Sequence, residues 1–331
     1  MKILHICAGW QKWNGAANIA RMIMDEQRRE GHEVSSATWA KVRELRAADE
    51  VWIHCGWLPC LWWAALWGRN VHWMPEACYD PVRLRYHGWK KWLVGPIERW
   101  CLRRCAKIVA TCEAEAEWIR AYEPRVKSIE VTDIKRFFNL NPANPVNPVK
   151  KDLHLLYLGR RHPLKGLFYL ESALTTYYNM WSKSSASPTP TNACTAHPSG
   201  NPSIEPSNTT YYNKCPIDLR VVSSAFGDEL EKVWDWCDVL VLPTLSENFG
   251  LVIDVALERG KCVITTDGAP AWGENLSRVE CVDGGMWSGY GGRLIYLKGY
   301  RDGTPEDRVR LLKSAIENLL SRASLTPPAA K

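Results

Sequence analysis

The fold is decided by a stretch near the N-terminus, residues 2–39, whose sequence is KILHICAGWQKWNGAANIARMIMDEQRREGHEVSSATW. Its first apolar run, Lys2–Ala8, predicts a buried strand, and Gly15–Glu30 predicts a helix because its apolar residues recur on one face. A Gly-His pair ends that helix, and Glu33–Trp39 predicts the next strand. A strand, a helix and a second strand in this order indicate the repeating unit of a parallel sheet.

The same alternation continues along the chain. Further short strands are predicted at Glu50–His54, Asn70–Trp73, Lys107–Ala110, Leu153–Leu158, Asp218–Val222, Val239–Pro243 and Cys262–Thr266. The helices predicted between the later strands are Gly166–Leu174, Glu229–Trp236 and Leu251–Arg259. Apolar strands that alternate with helices are typical of a parallel sheet covered on both faces. We therefore predict the α/β class, with two Rossmann-like, doubly wound domains facing a cleft.

The boundary between the two domains is predicted at Asn139–Lys151, a stretch with three prolines and four asparagines. That density of proline is incompatible with a helix or a central strand, so the stretch is interpreted as a linker. The N-terminal domain is then 1–138 and the C-terminal domain 152–322. Residues 177–214 are rich in Ser, Thr, Pro and Asn and lack a hydrophobic period, so we predict a surface insertion there.

Composition excludes several classes of protein. The 331 residues are 46% hydrophobic and 24% charged, with a net charge of +6, which excludes a disordered chain, a coiled coil and a small disulfide scaffold. The most apolar stretch, Trp57–Trp67, is too short to span a membrane, and the N-terminal apolar run is too short for a signal peptide. Twelve cysteines without any CxxC spacing favour buried reduced thiols over a zinc or disulfide framework. We expect a cytoplasmic protein.

Three strand-to-helix turns are candidates for holding a phosphate. Gly15 and two alanines open the first helix, where small residues let an anion approach free backbone N–H groups. Arg160 and Lys165 follow the strand that ends at Gly159, and two fixed cations suit the negative charge of a departing diphosphate. An ordinary turn and a solvated basic loop are the respective alternatives.

The third turn lies in the segment Leu242–Val252, which again predicts a strand, a turn and a helix. Glu247 there supplies a carboxylate acceptor suited to sugar hydroxyls, and the backbone amides of Asn248–Val252 follow as the helix opens. The alternative is a helix N-terminus capped by Ser246, with Glu247 in its first turn.

The two C-terminal turns together resemble a known family, the retaining glycosyltransferases of the GT-B fold and of family 4 in the sequence-based classification. The family's G-R-x4-K-G segment is matched by Gly159, Arg160, Lys165 and Gly166, and its P-[ST]-x2-E-x-F-G-L-V segment by Pro243, Thr244, Glu247, Phe249, Gly250, Leu251 and Val252. Residues 89–118 are similar to the long helix, strand and A-T-x-x-E-A-E segment of the lipopolysaccharide- and exopolysaccharide-type members. The resemblance covers nearly the whole chain except the insertion.

The resemblance implies a transferase that moves a sugar from a nucleotide-sugar to a glycan or lipid-linked acceptor with retention, in cell-surface polysaccharide or lipopolysaccharide assembly. It implies that Arg160, Lys165 and Glu247 are the catalytic group, with Arg160 and Lys165 on the diphosphate and Glu247 on the donor sugar. The residues implied in donor binding are Gly15, Gly159, Asn248, Phe249, Gly250, Leu251 and Val252. The N-terminal domain would be the acceptor side. Neither a metal nor another cofactor is expected.

The sequence departs from the family pattern at two places. The family's second Glu, eight positions after the first, is replaced by Val255, and the neighbouring Asp254 is rotated by about 100° around the helix. Near the reacting sugar, where many members have a His or an Arg-Gly pair, this sequence has Glu76. Glu76 and His54 are therefore acceptor-side candidates, with a loop salt bridge and a structural histidine as the alternatives.

A basic, tryptophan-rich stretch spans Arg83 to Lys107. It holds nine basic side chains, counting His87, and one acid, with three tryptophans interleaved. This pattern suits an anionic membrane surface, because Trp lies at headgroup level and Lys or Arg meets phosphate. The alternative is a solvated helix with its tryptophans packed inward. Nucleic acid is not expected as a partner, since no nucleic-acid motif accompanies the patch.

Two other functions remain open at this point. Val255 and the insertion are compatible with a catalytically weakened or inactive GT-B protein that serves as a binding module or scaffold. A nucleotide-dependent enzyme such as a sugar epimerase would share paired doubly wound domains, although no motif supports it.

Overall fold

The computed structural model describes residues 1–7, 10, 15–55, 59–138, 152–184, 217–223, 225, 227–273, 276–278 and 286–325. The predicted linker 139–151 and most of the predicted insertion, 185–214, lie outside these residues. The predicted domain boundaries therefore stay predictions. The described elements form two separate sheets, each with helices against it.

The strands are β1 (Lys2–Cys7), β2 (Glu33–Ala37), β3 (Glu50–His54), β4 (Val71–Met74), β5 (Lys107–Ala110), β6 (Ile129–Val131), β7 (Leu153–Leu158), β8 (Ile217–Val222), β9 (Val239–Leu242), β10 (Cys262–Thr266), β11 (Ser277–Arg278), β12 (Met286–Gly289) and β13 (Leu294–Leu297). The helices are α1 (Gly15–Arg29), α2 (Val42–Ala47), α3 (Pro59–Trp67), α4 (Pro81–Tyr86), α5 (Gly88–Arg104), α6 (Glu113–Tyr122), α7 (Leu167–Ser184), α8 (Asp228–Trp236), α9 (Leu251–Glu258) and α10 (Pro305–Leu325).

The N-terminal sheet has the order β2-β1-β3-β4-β5-β6, and all its described pairings are parallel. Its interior strands β1, β3, β4 and β5 are almost entirely buried, because helices cover both faces. From β1 the chain continues to β2 at one edge of the sheet, and from β3 it continues through β4 and β5 towards the other edge. Doubly wound sheets of this kind bind ligands at the carboxyl ends of their strands.

The C-terminal sheet has the order β11-β12-β13-β10-β9-β7-β8. The strands from β13 to β8 pair in parallel, and β11, β12 and β13 form an antiparallel edge. The predicted α/β class with two doubly wound sheets is confirmed. The antiparallel edge is absent from the sequence prediction, because its strands are short and lie among glycines.

One local expectation needs correction. Helix α7 continues to Ser184, so the first part of the predicted insertion is helical. Tyr178, inside that part, packs against the C-terminal core and donates from its hydroxyl to the Ile217 carbonyl oxygen at 3.0 Å. Eight cysteines whose side chains the structure describes form no disulfide bond, and all of them except Cys55 are buried.

One hydrophobic cluster joins the two sheets. It combines Met74, Val109 and Ile134 of the N-terminal half with residues of the C-terminal half such as Phe249 and Trp272. The Trp272 side chain is fully buried, and its indole N–H donates to the Phe249 carbonyl oxygen at 2.7 Å. The loops at the carboxyl ends of both sheets are thereby held against each other.

Candidate active site

The loops that follow β7 and β9 lie side by side, because these two strands are hydrogen-bonded neighbours. The Leu164 carbonyl oxygen accepts two hydrogen bonds from the second loop, from the Leu245 N–H at 2.8 Å and from the Thr244 hydroxyl at 3.0 Å. Gly166 has a φ of +69°, and a Cβ built on it would lie 1.8 Å from the Pro243 carbonyl oxygen. Glycine is therefore required where the two loops touch.

Lys165 and Glu247, one from each loop, form an ion pair. The Lys165 ammonium also donates to the Ser246 carbonyl oxygen at 3.4 Å, and the Asn248 N–H donates to the other Glu247 oxygen at 3.1 Å. Burial raises the pKa of Glu247, but Lys165, Arg83 and the Asn248 N–H together outweigh it and hold that pKa below its ordinary value. The carboxylate is consequently ionised at neutral pH.

Lys165 was predicted to bind the diphosphate of a donor and Glu247 its sugar, and these two side chains contact each other directly. Burial lowers the pKa of Lys165, and the Glu247 carboxylate opposes that shift. Such a pair stabilises each charged form. Polar groups of a ligand that entered here would meet one ammonium and one carboxylate held in fixed positions.

A basic cavity of about 340 Å³ opens beside this pair. Its lining comes from both halves of the chain: Arg83, His87, Lys90, Arg160, His162, Leu164, Lys165 and Ser246. Burial and the nearby cations lower the pKa values of His87 and His162, so both imidazoles are neutral at pH 7. The positive charge of the lining therefore comes from its Arg and Lys side chains, which suit a phosphate ligand.

Arg83 bridges the two halves at this cavity. Its Nε donates to the Ser246 hydroxyl at 3.0 Å, and its Nη1 reaches the Glu76 carbonyl oxygen at 3.5 Å. Sequence analysis placed Arg83 only in the basic, tryptophan-rich stretch and missed this position. The one available signal was that Arg83 begins that stretch a few residues after β4, whose carboxyl end faces the cleft.

The remaining donor-side candidates, apart from Arg160, are not among the residues that line the cavity. Arg160 is exposed and lines it, and Gly159 precedes Arg160 at the end of β7. Gly15 is exposed at the start of α1, with open space where a Cβ would point. The Phe249 side chain is buried and stacks on Phe138 at 6.2 Å, so any contact of Phe249 with a donor would be made by its backbone. Gly250, with a φ of +78°, precedes α9, whose first residues are Leu251 and Val252.

The acceptor-side candidates, Glu76 and His54, lie close together in the N-terminal half. Glu76 Oε1 is 3.7 Å from His54 Nδ1, and both side chains are buried. Burial raises the pKa of Glu76 well above its ordinary value, with Cys55 and Glu115 adding to the shift. Burial also lowers the pKa of His54. Burial therefore disfavours the charged form of each group. The loop salt bridge stays an alternative for this contact.

A buried chain of polar side chains continues from His54 into the domain. His54 Nε2 is 2.9 Å from His5 Nδ1, and His5 Nε2 is 2.7 Å from Gln27 Oε1. This chain fixes the imidazole of His54 in one orientation. The Nε2 of His54 is thus held by a structural hydrogen bond, as the structural-histidine alternative describes. Its Nδ1 faces Glu76.

Glu115 holds the turn that carries Glu76. Its carboxylate accepts from the Ala77 N–H at 2.5 Å and from the Thr111 N–H and hydroxyl at 2.7 and 2.8 Å. Glu76 and Ala77 both have positive φ angles, of 57° and 58°, which non-glycine residues rarely adopt. Strained backbone held by a buried carboxylate is characteristic of functional sites.

At the family's second-Glu position, Val255 is partly buried against the shared core. Asp254 beside it is completely buried, and neither of its carboxylate oxygens has a hydrogen-bond partner among the described residues. Burial raises the pKa of Asp254 to about 8, and the neighbouring Glu258 adds to the shift. Asp254 therefore lies on a buried side of α9. No group of three potential ligands that could hold a metal ion occurs among the described residues.

Comparison with known proteins gives one family match. Residues 36–132 match the model of the "Glycosyl transferase 4-like domain", which is less than a third of the chain. No curated protein matches the chain.

Solved structures match over nearly the whole chain. Sucrose-phosphate synthase from Thermosynechococcus elongatus has a TM-score of 0.56 at 12% identity, covering 98% of this chain and 94% of its own. Anabaena Alr3699/HepE in complex with UDP-glucose has a TM-score of 0.54 at 12% identity, with coverages of 98% and 93%. WaaG, a glycosyltransferase involved in lipopolysaccharide biosynthesis, has a TM-score of 0.51 at 10% identity, with coverages of 98% and 93%.

At these identities the structures establish the architecture, which is the two-domain GT-B fold. The family match and the shared architecture together support a transferase enzyme. They do not favour the scaffold alternative. No described helix is long and apolar enough to cross a membrane.

Proposed function

We propose that this chain is a glycosyltransferase that moves a sugar from a nucleoside-diphosphate sugar to a glycan or lipid-linked acceptor, with retention of configuration. The observation that carries the proposal is the basic cavity, which lies at the carboxyl ends of the strands and takes cations from both halves of the chain. One structural neighbour, HepE, is in complex with UDP-glucose, which supports a donor of this chemical class.

The donor's diphosphate would lie in the basic cavity. Arg83 and Arg160 can each donate two parallel hydrogen bonds to phosphate oxygens, and Lys90 and Lys165 add point charges. When the sugar leaves, negative charge accumulates on the diphosphate, and fixed cations stabilise that charge. This arrangement supplies from side chains the electrostatic stabilisation that a metal ion would otherwise give.

The transferred sugar would lie against Glu247 and the start of α9. The ionised Glu247 accepts hydrogen bonds from sugar hydroxyls, and the N–H groups of Asn248 and the residues through Val252 lie at the positive end of the helix. In the transfer step, the bond between the anomeric carbon and the diphosphate oxygen breaks on the face where the acceptor hydroxyl attacks. The hydroxyl proton passes to the departing phosphate oxygen, so retention needs no separate protein base.

Glu76 and His54 would act on the acceptor side. In the neutral forms that burial favours, the Glu76 carboxyl can donate a hydrogen bond and His54 can accept one, so the pair would orient an acceptor hydroxyl. The biological setting that fits is cell-surface polysaccharide or lipopolysaccharide assembly. The enzyme would then be cytoplasmic and peripheral at the inner face of the membrane.

The proposal is tested with Arg160→Ala and Glu247→Ala, assayed for transfer and for donor hydrolysis. Each should lower kcat/KM by about 100-fold or more, because each removes a charge that acts in the transition state. Arg310→Ala, at an exposed pair with Asp307, is the matched control and should leave the rate unchanged. Rates equal to those of the unmodified enzyme in folded Arg160 and Glu247 variants would refute the assignment.

A further inference from the structure

Helix α5 buries an ion pair on its inner face and exposes large apolar side chains on its outer face. On the inner face, the Lys91 ammonium donates to both carboxylate oxygens of Glu98, at 2.7 and 2.6 Å, and both side chains are buried. The Tyr122 hydroxyl donates to Glu98 at 3.0 Å, and the Lys91 ammonium lies 4.6 Å from the Tyr79 ring centroid. These partners satisfy the buried pair, which would otherwise oppose folding.

The outer face of α5 is a stripe of large apolar side chains. Trp92 is 80% exposed, Trp89 69%, Leu93 58%, Ile97 49% and Trp100 43%. Spacings of three and four residues place them along one side of the helix. The alternative that the tryptophans pack inward is therefore wrong. A contiguous exposed apolar stripe of this size marks an interaction surface.

The charge around the stripe decides which partner it fits. The Lys90 ammonium lies 5.6 Å from the Trp89 ring and the Arg104 guanidinium 5.1 Å from the Trp100 ring. The one acid between residues 81 and 110 is Glu98, which is buried. A partner must therefore accept apolar side chains and present negative charge along the whole helix, which an anionic lipid bilayer does.

Not all of the predicted basic patch takes part in this surface. The Lys107 ammonium pairs with Glu130 at 2.6 Å, and Arg103 pairs with Glu123 at 3.3 Å. Arg83 faces the cavity. Of the cations named in the stretch, Lys90, Arg99 and Arg104 are exposed on α5, and Arg85 is exposed on α4.

The stripe begins at the mouth of the basic cavity. His87 and Lys90, at the start of α5, line that cavity, whereas Trp89 and Trp92 are exposed. Tyr86, which is 49% exposed, lies edge-on to His162 of the C-terminal half at 5.4 Å. A bilayer lying on the stripe would thus bring phosphate headgroups beside the cavity opening.

We propose that the outer face of α5 docks this protein on an anionic lipid bilayer, with Trp89, Trp92, Leu93, Ile97 and Trp100 inserted at the level of the headgroups. Docking presents a lipid-linked acceptor to the cavity, and this second part rests on the proposed function. The docking itself does not rest on it. In this proposal the lipid surface covers the stripe on α5. Binding of a protein partner or of a second copy of the chain there would contradict it.

The test is co-sedimentation of the full chain with vesicles of phosphatidylcholine alone or of phosphatidylcholine mixed with phosphatidylglycerol. We expect binding to the anionic vesicles and weaker binding at high salt. The double variant Trp92→Ser/Leu93→Ser should bind the anionic vesicles at least about tenfold more weakly than the unmodified chain does. The double variant Ile97→Ser/Trp100→Ser should show the same loss. Phe168→Ser is the matched control, because Phe168 is 70% exposed in α7, and it should bind as the unmodified chain does.

Two results would overturn the docking surface. One is equal vesicle binding by both double variants, by the control and by the unmodified chain. The other is self-association in sedimentation velocity that the double variants abolish, without binding to vesicles. Donor hydrolysis with a nucleotide-sugar in solution should be unchanged in the double variants, so loss of docking and failure of the proposed chemistry are separate outcomes.

Discussion

At the scale of single residues, Gly166 sets the separation of the two loops that build the site. It lies between Lys165 and the start of α7, and a Cβ built on it would lie 1.8 Å from the Pro243 carbonyl oxygen. The sequence motif identified Lys165, Gly166 and Glu247 as a group. It did not reveal that Lys165 and Glu247 would pair, since a contact across about eighty residues depends on β7 and β9 being neighbours.

Gly166→Ala should lower both stability and donor affinity. The added methyl would need a strained φ of +69° and would overlap a backbone oxygen, which costs about 2–4 kcal/mol in the free energy of unfolding. Denaturant unfolding measures the loss. Gly15→Ala is the control for stability, because a Cβ there meets nothing within 4 Å; equal stability of the two variants would show that the loops do not touch.

Some properties of single residues could not be predicted from the sequence. They are the contacts of Arg83 and Glu115 and the burial of Glu76 and His54. Glu76 was predicted as an acceptor-side candidate from a departure from the family pattern, and His54 from its position at the end of a strand. The pKa shifts of both groups come from burial by residues distant in sequence, which no local pattern reports. Glu115 supports the strained turn at Glu76 from another element, α6, so its role appears only once β4 and α6 are packed together.

At the scale of elements, strand positions were predictable because buried parallel strands are continuous apolar runs. Strands β3, β5, β7 and β10 begin and end where the sequence predicts. The facing of α5 was not predictable. Lys91 and Glu98 are two helical turns apart on one side, and that side contacts Tyr79 and Tyr122, which lie outside the helix.

Helix α9 contains the clearest pH-dependent group. Asp254 has an ordinary pKa of 3.8, raised to about 8 by burial and by Glu258. Because the folded state holds this proton more tightly than the unfolded state, stability is greatest below about pH 4 for this group. It falls as the pH rises towards about 8.

Asp254→Asn should remove that loss. The variant should be more stable than the unmodified chain by roughly 2–5 kcal/mol at pH 8, and the difference should vanish near pH 4. Denaturant unfolding at several pH values measures it. A stability difference that is independent of pH would show that the Asp254 carboxyl is ionised in the folded protein.

At the scale of the whole molecule, tryptophans of the N-terminal half include both buried and exposed side chains. Thirteen of the eighteen precede residue 120; Trp73 is part of the N-terminal core, whereas those of α5 form the docking stripe. Composition suggested a distinct role for the N-terminal half, and the motifs placed the donor in the C-terminal half. The cavity unites the two, because its cations come from both.

We propose that residues from both halves form one diphosphate site, and Arg83 is the N-terminal residue that joins it to the C-terminal half. Calorimetric titration of the unmodified chain and of Arg83→Ala with a panel of nucleoside-diphosphate sugars measures its contribution. We expect binding of at least one donor by the unmodified chain and a loss of about 10- to 100-fold in affinity for Arg83→Ala, since a charge-assisted contact to phosphate is removed. No binding of any donor, or equal affinity in a folded Arg83→Ala variant, would contradict this proposal.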